Sequence, residues 1–332
     1  MTAHKEIDNT MSKKFEKNAR VCFVGDSITA NGGYIAKVFD YYRTNLPELG
    51  VKMYNCGVGG DSARGAFNRL DEDVFEKFNP TEIVLMFGMN DCGYPHFADT
   101  DVEKRDRDTL EKRKVHLDSM YKLCEAFKAH GLPVTLCSPT PYDESSPLLN
   151  ETNYIGVRDE LATYFKLYDE ALADFTFKNK VDYITPLTAL EKELAEKRLP
   201  SFINPDRIHP NAIGHDGMAA IFLKSQGFDV TLPTVESLAA GKEVLPPLSA
   251  INAERKKNEE ALRGWLAFID FLFSQNLKGK SDEEHIVYWT QKLAETPESD
   301  PQHARIANYL EIKPNEKAYL KKLVELTDEM VK

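Results

Sequence analysis

The stretch "FVGDSITANGG", residues 23–33, begins as an apolar strand-like run and breaks at Gly25-Asp26-Ser27 into a polar, glycine-rich turn. A strand end that leads into a helix start is where α/β proteins expose chemistry, because the first helical N–H groups lack partners and face incoming negative charge. An Asp or Ser there also has a plainer use, as the cap of those N–H groups. One serine does not choose between the two readings. What the stretch does predict is a parallel sheet, and the rest of the chain supplies the strands.

Short apolar, β-branched runs recur at 21–25 (VCFVG), 51–57 (VKMYNCG), 82–88 (EIVLMFG), 133–138 (PVTLCS) and 181–185 (VDYIT). Several are apolar throughout rather than alternating, as strands covered on both faces are. Between them the pattern turns helical at 34–43, 62–78 and 106–130, the last stopping at Gly131 with Pro133 beyond it. Thr188 and Glu191 read as a capping box for a helix to about residue 197, and a further helix spans Asn211 to about Gln226. The expectation is a three-layer α/β/α domain over residues 20–228, after an N-terminal segment 1–19.

Residues 229–250, with three prolines and a turn near Gly241, read as a linker. Beyond it, residues 251–332 read as helix only. Leu262, Trp265, Leu266, Ile269, Leu272 and Phe273 form one apolar face, Ser281 with Glu284 a capping box, and Asp300-Pro301 an N-cap and first helical residue. This helical extension suits a role as cover for the main domain, as a dimer contact between copies of the chain, or as a lid.

The chain has 332 residues, 42% hydrophobic and 29% charged, which is ordinary for a soluble globular protein. Its 42 Lys and Arg against 53 Asp and Glu give a net charge of −11, which argues against nonspecific attraction to nucleic acid or an anionic membrane. Cys22, Cys56, Cys92, Cys124 and Cys137 form no CxxC pair and read as small hydrophobes. The first twenty residues contain no apolar signal core, so a cytoplasmic location is expected. Neither a metal-ligand cluster nor a phosphate or dinucleotide fingerprint is present, and His96, His116 and His130 stand alone as surface or core histidines.

Three more stretches fall where such a sheet exposes function: "NCGVGGDSARG" after the second strand, "GMNDCG" after the third, and "NPDRIHPNAIGH" before the last helix of the domain. Each has a bland reading as a turn, a cap or a buried histidine. Together they supply acyl transfer. Ser27 is the candidate nucleophile, His209 its base, and Asp206 the group that orients the imidazole. The backbone N–H groups of Ser27 and Gly60 and the Asn90 amide are candidate oxyanion donors. Asp26 and Asp91 as a glycosidase pair is the weaker alternative, since it leaves Ser27 and His209 without a task.

Gly25-Asp26-Ser27, Gly60, Gly88-x-Asn90-Asp91 and Asp206-x-x-His209 resemble, in order and spacing, the four motif blocks of the SGNH (GDSL-type) hydrolases. The resemblance covers roughly residues 20–226. It implies a flavodoxin-like fold with five parallel strands, a serine esterase needing no cofactor, and Ser27, Gly60, Asn90 and His209 as the residues of the family's name. Gly60 is preferred to Gly57 because the family's glycine precedes an Asp, as in Gly60-Asp61. His209 is preferred to His215 because it alone stands in the Asp-x-x-His frame, which leaves His215 as a cap or packing residue.

The "DSARGAFNRLDEDV" and "GMND" blocks look most similar to sugar acetylesterases, which implies removal of small acyl groups from carbohydrates. A lysophospholipase or thioesterase is the alternative among enzymes, and a noncatalytic carbohydrate-binding protein the alternative outside them. The substrate-facing variable parts are expected at 91–106 and 140–158, where Tyr94, His96, Tyr142 and Tyr154 either stack on sugar or pack in the loops.

Overall fold

A computed structural model describes residues 13–147, 151–263, 277 and 280–332. Five strands form one sheet: β1 (Arg20–Gly25), β2 (Lys52–Gly57), β3 (Glu82–Met86), β4 (Val134–Cys137) and β5 (Asn179–Val181). They lie in the order β2-β1-β3-β4-β5, and all four pairings are parallel. The register sets Gly25 of β1 beside Gly57 of β2 and Met86 of β3, so three strand ends reach one rim together. Successive residues of β1 serve opposite faces. Val21 and Phe23 join a core built with α2 (Gly33–Asn45) and α8 (Ala212–Ser225), whereas Cys22 and Val24 join a core built with α3 (Ala63–Leu70) and α5 (Val102–Ala129). This is the expected α/β/α sandwich, and all five cysteines are buried and free.

Several boundaries differ from the expectation for physical reasons. Strand β5 stops at Val181, and α7 (Ile184–Glu196) begins where a longer strand was expected. Thr188 is therefore inside a helix. Ser138 Oγ, from the end of β4, accepts hydrogen bonds from Tyr183 N (2.7 Å) and Ile184 N (2.9 Å), and Asp182 takes Thr185 N. The α7 start is capped largely by a distant residue, a signal that no local capping pattern carries. The 62–78 helix is interrupted by one π turn over Asp71–Phe75 before α4 (Glu76–Phe78), and Asp101 caps α5 four residues earlier than expected.

The stretch 229–250 is not a free linker. It holds α9 (Val235–Ala239) under a Thr234–Ser237 capping box, and its far end is tied down. Asp216 accepts Val244 N (2.6 Å), while buried Lys37 donates to Glu243 (2.8 Å) and to Pro246 O (2.8 Å).

The following helix, α10 (Ala250–Arg263), lies along the open edge of β2. Glu259 accepts Asn55 N (2.9 Å), Arg255 donates to Met53 O (3.3 Å), and Arg263 donates to Gly57 O (3.1 Å). Side chains of α10 thus satisfy backbone groups that an edge strand would otherwise leave unpaired. Beyond it come α11 (Asp282–Glu295), which starts at the expected Ser281–Glu284 box, α12 (Pro301–Ile312), capped by Asp300, and α13 (Glu316–Met330). Trp289, Ile306 and Tyr309 make a small core of their own, while Leu323 and Met330 of α13 are buried in the two cores of the sheet. Of the apolar face expected at 262–273, Leu262 is buried and the remaining residues lie outside the described ones.

Candidate active site

At the end of β1 the chain turns through Asp26 into the short helix α1 (Ser27–Asn31). Asp26, not Ser27, is the cap: its side chain accepts Ile28 N at 2.9 Å. Ser27 is the first helical residue, half-exposed, and its N–H has no partner among the described residues. Asp26 itself is 2% exposed, and burial pushes its carboxyl pKa up to about 7.

The loop between α7 and α8 brings the other two groups to this serine. His209 Nε2 lies 2.7 Å from Ser27 Oγ, and His209 Nδ1 lies 2.7 Å from Asp206 Oδ2. The second Asp206 oxygen accepts Ile208 N and His209 N, both at 2.9 Å, so the carboxylate is held at each end. Burial disfavours the imidazolium, but the hydrogen bond and charge of Asp206, with Asp26 adding to them, outweigh it and raise the His209 pKa above 6.5. Burial opposes the ionised Asp206 as well, yet the His209 contact leaves that carboxyl below its usual pKa. A protonated His209 beside an ionised Asp206 is what a base must become after taking a serine proton.

Gly57 and Gly60, the two glycines considered as candidate oxyanion donors, differ in geometry. Gly57 N–H is taken by Asn55 Oδ1 (2.9 Å), and a Cβ at Gly57 would stand 2.3 Å from Ala30 N of α1. Gly57 lets α1 approach the sheet closely. Gly60 sits exposed at φ +77°, a conformation that favours glycine, and its N–H has no partner among the described residues. Asn90 donates one amide hydrogen to Asp61 O (2.8 Å), which leaves the second for a ligand. Ser27 N–H, Gly60 N–H and the Asn90 amide, borne by the ends of β1, β2 and β3, are the three donors the sequence proposed.

Groups with no sequence signature hold this rim together. Arg69 of α3 donates to Asp61 (2.8 Å), Cys56 O (2.9 Å), Asp73 (2.6 Å) and Gly25 O (3.3 Å), so one guanidinium ties the ends of β1 and β2. Burial pushes the Asp61 pKa up to about 6 against that arginine. Arg207, between the two site residues of its loop, is buried at φ +67° and donates to Asp143 O (2.9 Å), while Asp143 N donates back to Arg207 O (2.9 Å). A positive φ at a buried arginine had no local signal.

Asp91 accepts Ala63 N (3.0 Å) and lies against His116 of α5, which is therefore not isolated. His215 is fully buried in α8, its ring parallel to that of Tyr34, and Asn211 is the cap. His215 packs, as expected, and does not cap. Tyr142 is buried, with Tyr94 and Tyr154 half-buried against it, so these three rings pack mainly on one another. His96 bonds Gly93 O and Thr109 within its own region. No three His, Cys, Asp or Glu side chains among the described residues come together to hold a metal.

This geometry sits in a recognisable family. The family model of GDSL-like lipases and acylhydrolases matches residues 23–216, which run from β1 into α8. The chain belongs to the GDSL-like lipase/acylhydrolase family. It is accordingly a carboxylic ester hydrolase, with the SGNH type of fold. An acetylxylan esterase from Geobacillus stearothermophilus is 24% identical over 237 residues, covering 65% of this chain and 97% of that protein. A crystal structure of that esterase matches with a TM-score of 0.51. Further structures of catalytic mutants of the same esterase replace a serine, an aspartate and a histidine with alanine. A structure of a gut microbial diltiazem-metabolizing enzyme matches with a TM-score of 0.78 at 20% identity, over 97% of each chain. The fold likeness to that structure thus runs through the helical extension as well as the hydrolase domain.

Proposed function

We propose that this GDSL-family hydrolase removes small acyl groups, acetyl foremost, from carbohydrates through an acyl-enzyme on Ser27. The observation that carries the reading is the unbroken line Ser27 Oγ–His209–Asp206, at 2.7 Å per contact, beside two N–H groups without partners among the described residues and the second amide hydrogen of Asn90. In this mechanism His209 Nε2 takes the Ser27 proton as Oγ bonds to the acyl carbon, and the carbonyl oxygen becomes an oxyanion held by Ser27 N, Gly60 N and Asn90 Nδ2. His209 then returns the proton to the departing alcohol. A water, giving one proton to the same imidazole, adds to the acyl carbon, and as the bond to Ser27 Oγ breaks His209 passes that proton to Oγ, releasing the acid and restoring the serine. Each oxyanion donor is worth roughly 10²–10³ in rate.

Two observations support a small acyl group. A cavity of about 450 Å³ on the oxyanion side is lined by Asn90 and Ser62 and walled by Arg64, Asp108, Glu111 and Lys112. A long hydrocarbon chain gains little from a wall of charges, which weighs against the lysophospholipase reading. The relative from Geobacillus stearothermophilus, whose name specifies acetylxylan, favours acetyl esters of carbohydrate. Intact nucleophile, base and donors weigh against a noncatalytic binding protein.

The test compares turnover of p-nitrophenyl acetate, butyrate and octanoate by the wild type and by Ser27→Ala. The expected result is preference for acetate and loss of turnover in the variant. Equal turnover by the variant overturns the assignment of Ser27, and preference for octanoate overturns the small-acyl reading.

A further inference from the structure

One cavity is walled in part by Asn90 and a second by Pro210, the residue after His209, and catalysis by a serine and a histidine treats the side of the oxygen and the side of the alcohol differently. The acyl oxygen faces the oxyanion donors, while the alcohol must leave on the side of the imidazole that returns its proton. The oxyanion side has the charged cavity just described. The second cavity, of about 510 Å³, is bounded by Asn31, Asn204, His215, Glu243, Leu248 and Lys256 among others. Its place in the chain puts it next to the histidine: Pro210, also in its wall, follows His209, and Asn204 N donates to His209 O (2.8 Å). Asn31 ends the helix that Ser27 begins.

We infer that this cavity is the subsite for the alcohol part of the ester, that the alcohol it takes is a neutral polyhydroxylated one such as a saccharide, and that the extension beyond the hydrolase fold builds one part of its wall. The inference rests on the carbohydrate reading proposed above. Its volume lies in the range of small-molecule sites, which run from about 300 to 1,000 Å³. The chemistry of the wall is mixed rather than of one sign: three amides, two carboxylates, two ammonium groups and an imidazole, with Pro247 and Leu248 offering apolar contact. That composition matches hydroxyl groups, which both donate and accept, better than an anion or a hydrocarbon.

His215 is the most telling member. It is 4% exposed, neither ring nitrogen has a hydrogen-bond partner among the described residues, and burial, with the charges of Lys256 and His209 nearby, pushes its pKa down to about 3. A neutral imidazole with unmet hydrogen-bonding capacity is costly to keep unless something else meets it. Glu243, Leu248 and Lys256 belong to the segment between α9 and α10 and to α10 itself, outside the part of the chain that matches the family model. They are fixed there by the Lys37, Asp216 and β2-edge contacts described above.

The experiment uses the full chain and two substrates sharing one acyl group, monoacetylated xylobiose and p-nitrophenyl acetate. Lys256→Ala removes a charged donor, and Leu248→Trp fills the cavity. The quantity read is the ratio of kcat/KM for the disaccharide ester to that for the aryl ester, which damage to the fold or to the reacting groups leaves in place. The ratio is expected to fall about tenfold in each variant, the size of one lost hydrogen bond to a charged group or one blocked sugar contact. An unchanged ratio in both variants overturns the subsite and leaves the carbohydrate reading standing. A wild type that hydrolyses p-nitrophenyl acetate but neither monoacetylated xylobiose nor peracetylated xylose overturns the carbohydrate reading and the subsite with it.

Discussion

Among the described residues two histidines each join a carboxylate to a hydroxyl, and only one of them keeps side-chain exposure. His209 contacts Asp206 through Nδ1 and Ser27 through Nε2, at 2.7 Å each. His116 contacts Asp91 through Nδ1 at 3.0 Å, without the alignment of a hydrogen bond, and Tyr168 OH through Nε2 at 2.7 Å. The side chains of His209 and Asp206 keep 37% and 42% of their exposure, whereas that of His116 keeps none. Around Ser27 lie free N–H donors. Around Tyr168 lies a packed core, with burial holding the phenol well above its usual pKa. The order carboxylate–imidazole–hydroxyl is therefore not what distinguishes a reacting line. Access for an acyl carbon and donors for its oxygen are.

The comparison breaks most visibly under matched substitutions at the two histidines. His209→Ala is expected to lower kcat by about 10⁴–10⁶, as removal of a member of such a unit does, while changing stability in urea by about 1 kcal/mol or less. His116→Gln is expected to do the reverse. Turnover stays within about tenfold, or 1.4 kcal/mol of barrier, and stability falls by about 1–3 kcal/mol as a buried polar contact is lost. Equal losses of turnover at the two positions would mean that the buried line, one residue from Asn90, takes part in the chemistry.

A smaller effect separates the roles of Asp206 and Asp26 at His209. The base must be neutral to accept the serine proton, so kcat/KM falls as pH drops through the His209 pKa, by about tenfold per unit below it. Because that pKa is raised above 6.5, the acidic limb begins at a higher pH than an unperturbed histidine gives. Asp206→Asn removes the hydrogen-bonded charge that raises it, while burial continues to lower it. The limb is then expected to move to lower pH, read from residual turnover or from the imidazole resonances in NMR. A limb that stays in place would assign the shift to Asp26, the other carboxyl acting on this ring.

The strands and the meeting of Ser27, Asp206 and His209 were legible because their signals are local. An apolar run of five or so residues marks a strand covered on both faces, and the Asp206-x-x-His209 spacing lies within one loop. What was not legible depends on contacts far apart in the chain. His116 looks solitary in sequence, and its hydroxyl partner Tyr168 lies 52 residues away. Thr188 and Glu191 satisfy a capping pattern, but Ser138 holds the start of that helix from 46 residues upstream. The stretch 229–250 has the composition of a linker, and Asp216, Lys37 and Asp40, on two other helices, turn it into a wall. The edge of β2 is covered by Glu259, 204 residues beyond Asn55, a pairing to which hydrophobic periodicity is blind.

The finest cut between the two lines is Tyr168→Phe, which removes one oxygen atom and leaves the ring in its core. His116 Nε2, on a side chain with no exposure, then loses its partner, and stability is expected to fall by about 1–3 kcal/mol in urea denaturation. Turnover is expected to remain close to that of the wild type, because the contacts that place the oxyanion donors do not involve Tyr168. Asp91 still accepts Ala63 N, and Asn90 still donates to Asp61 O. A loss of turnover without a loss of stability would reverse the reading: the buried imidazole would then set the position of Asp91 and, through the adjacent Asn90, the geometry of the oxyanion site. Unchanged stability with unchanged turnover would show instead that the 2.7 Å contact between His116 and Tyr168 contributes no more than a hydrogen bond to water does.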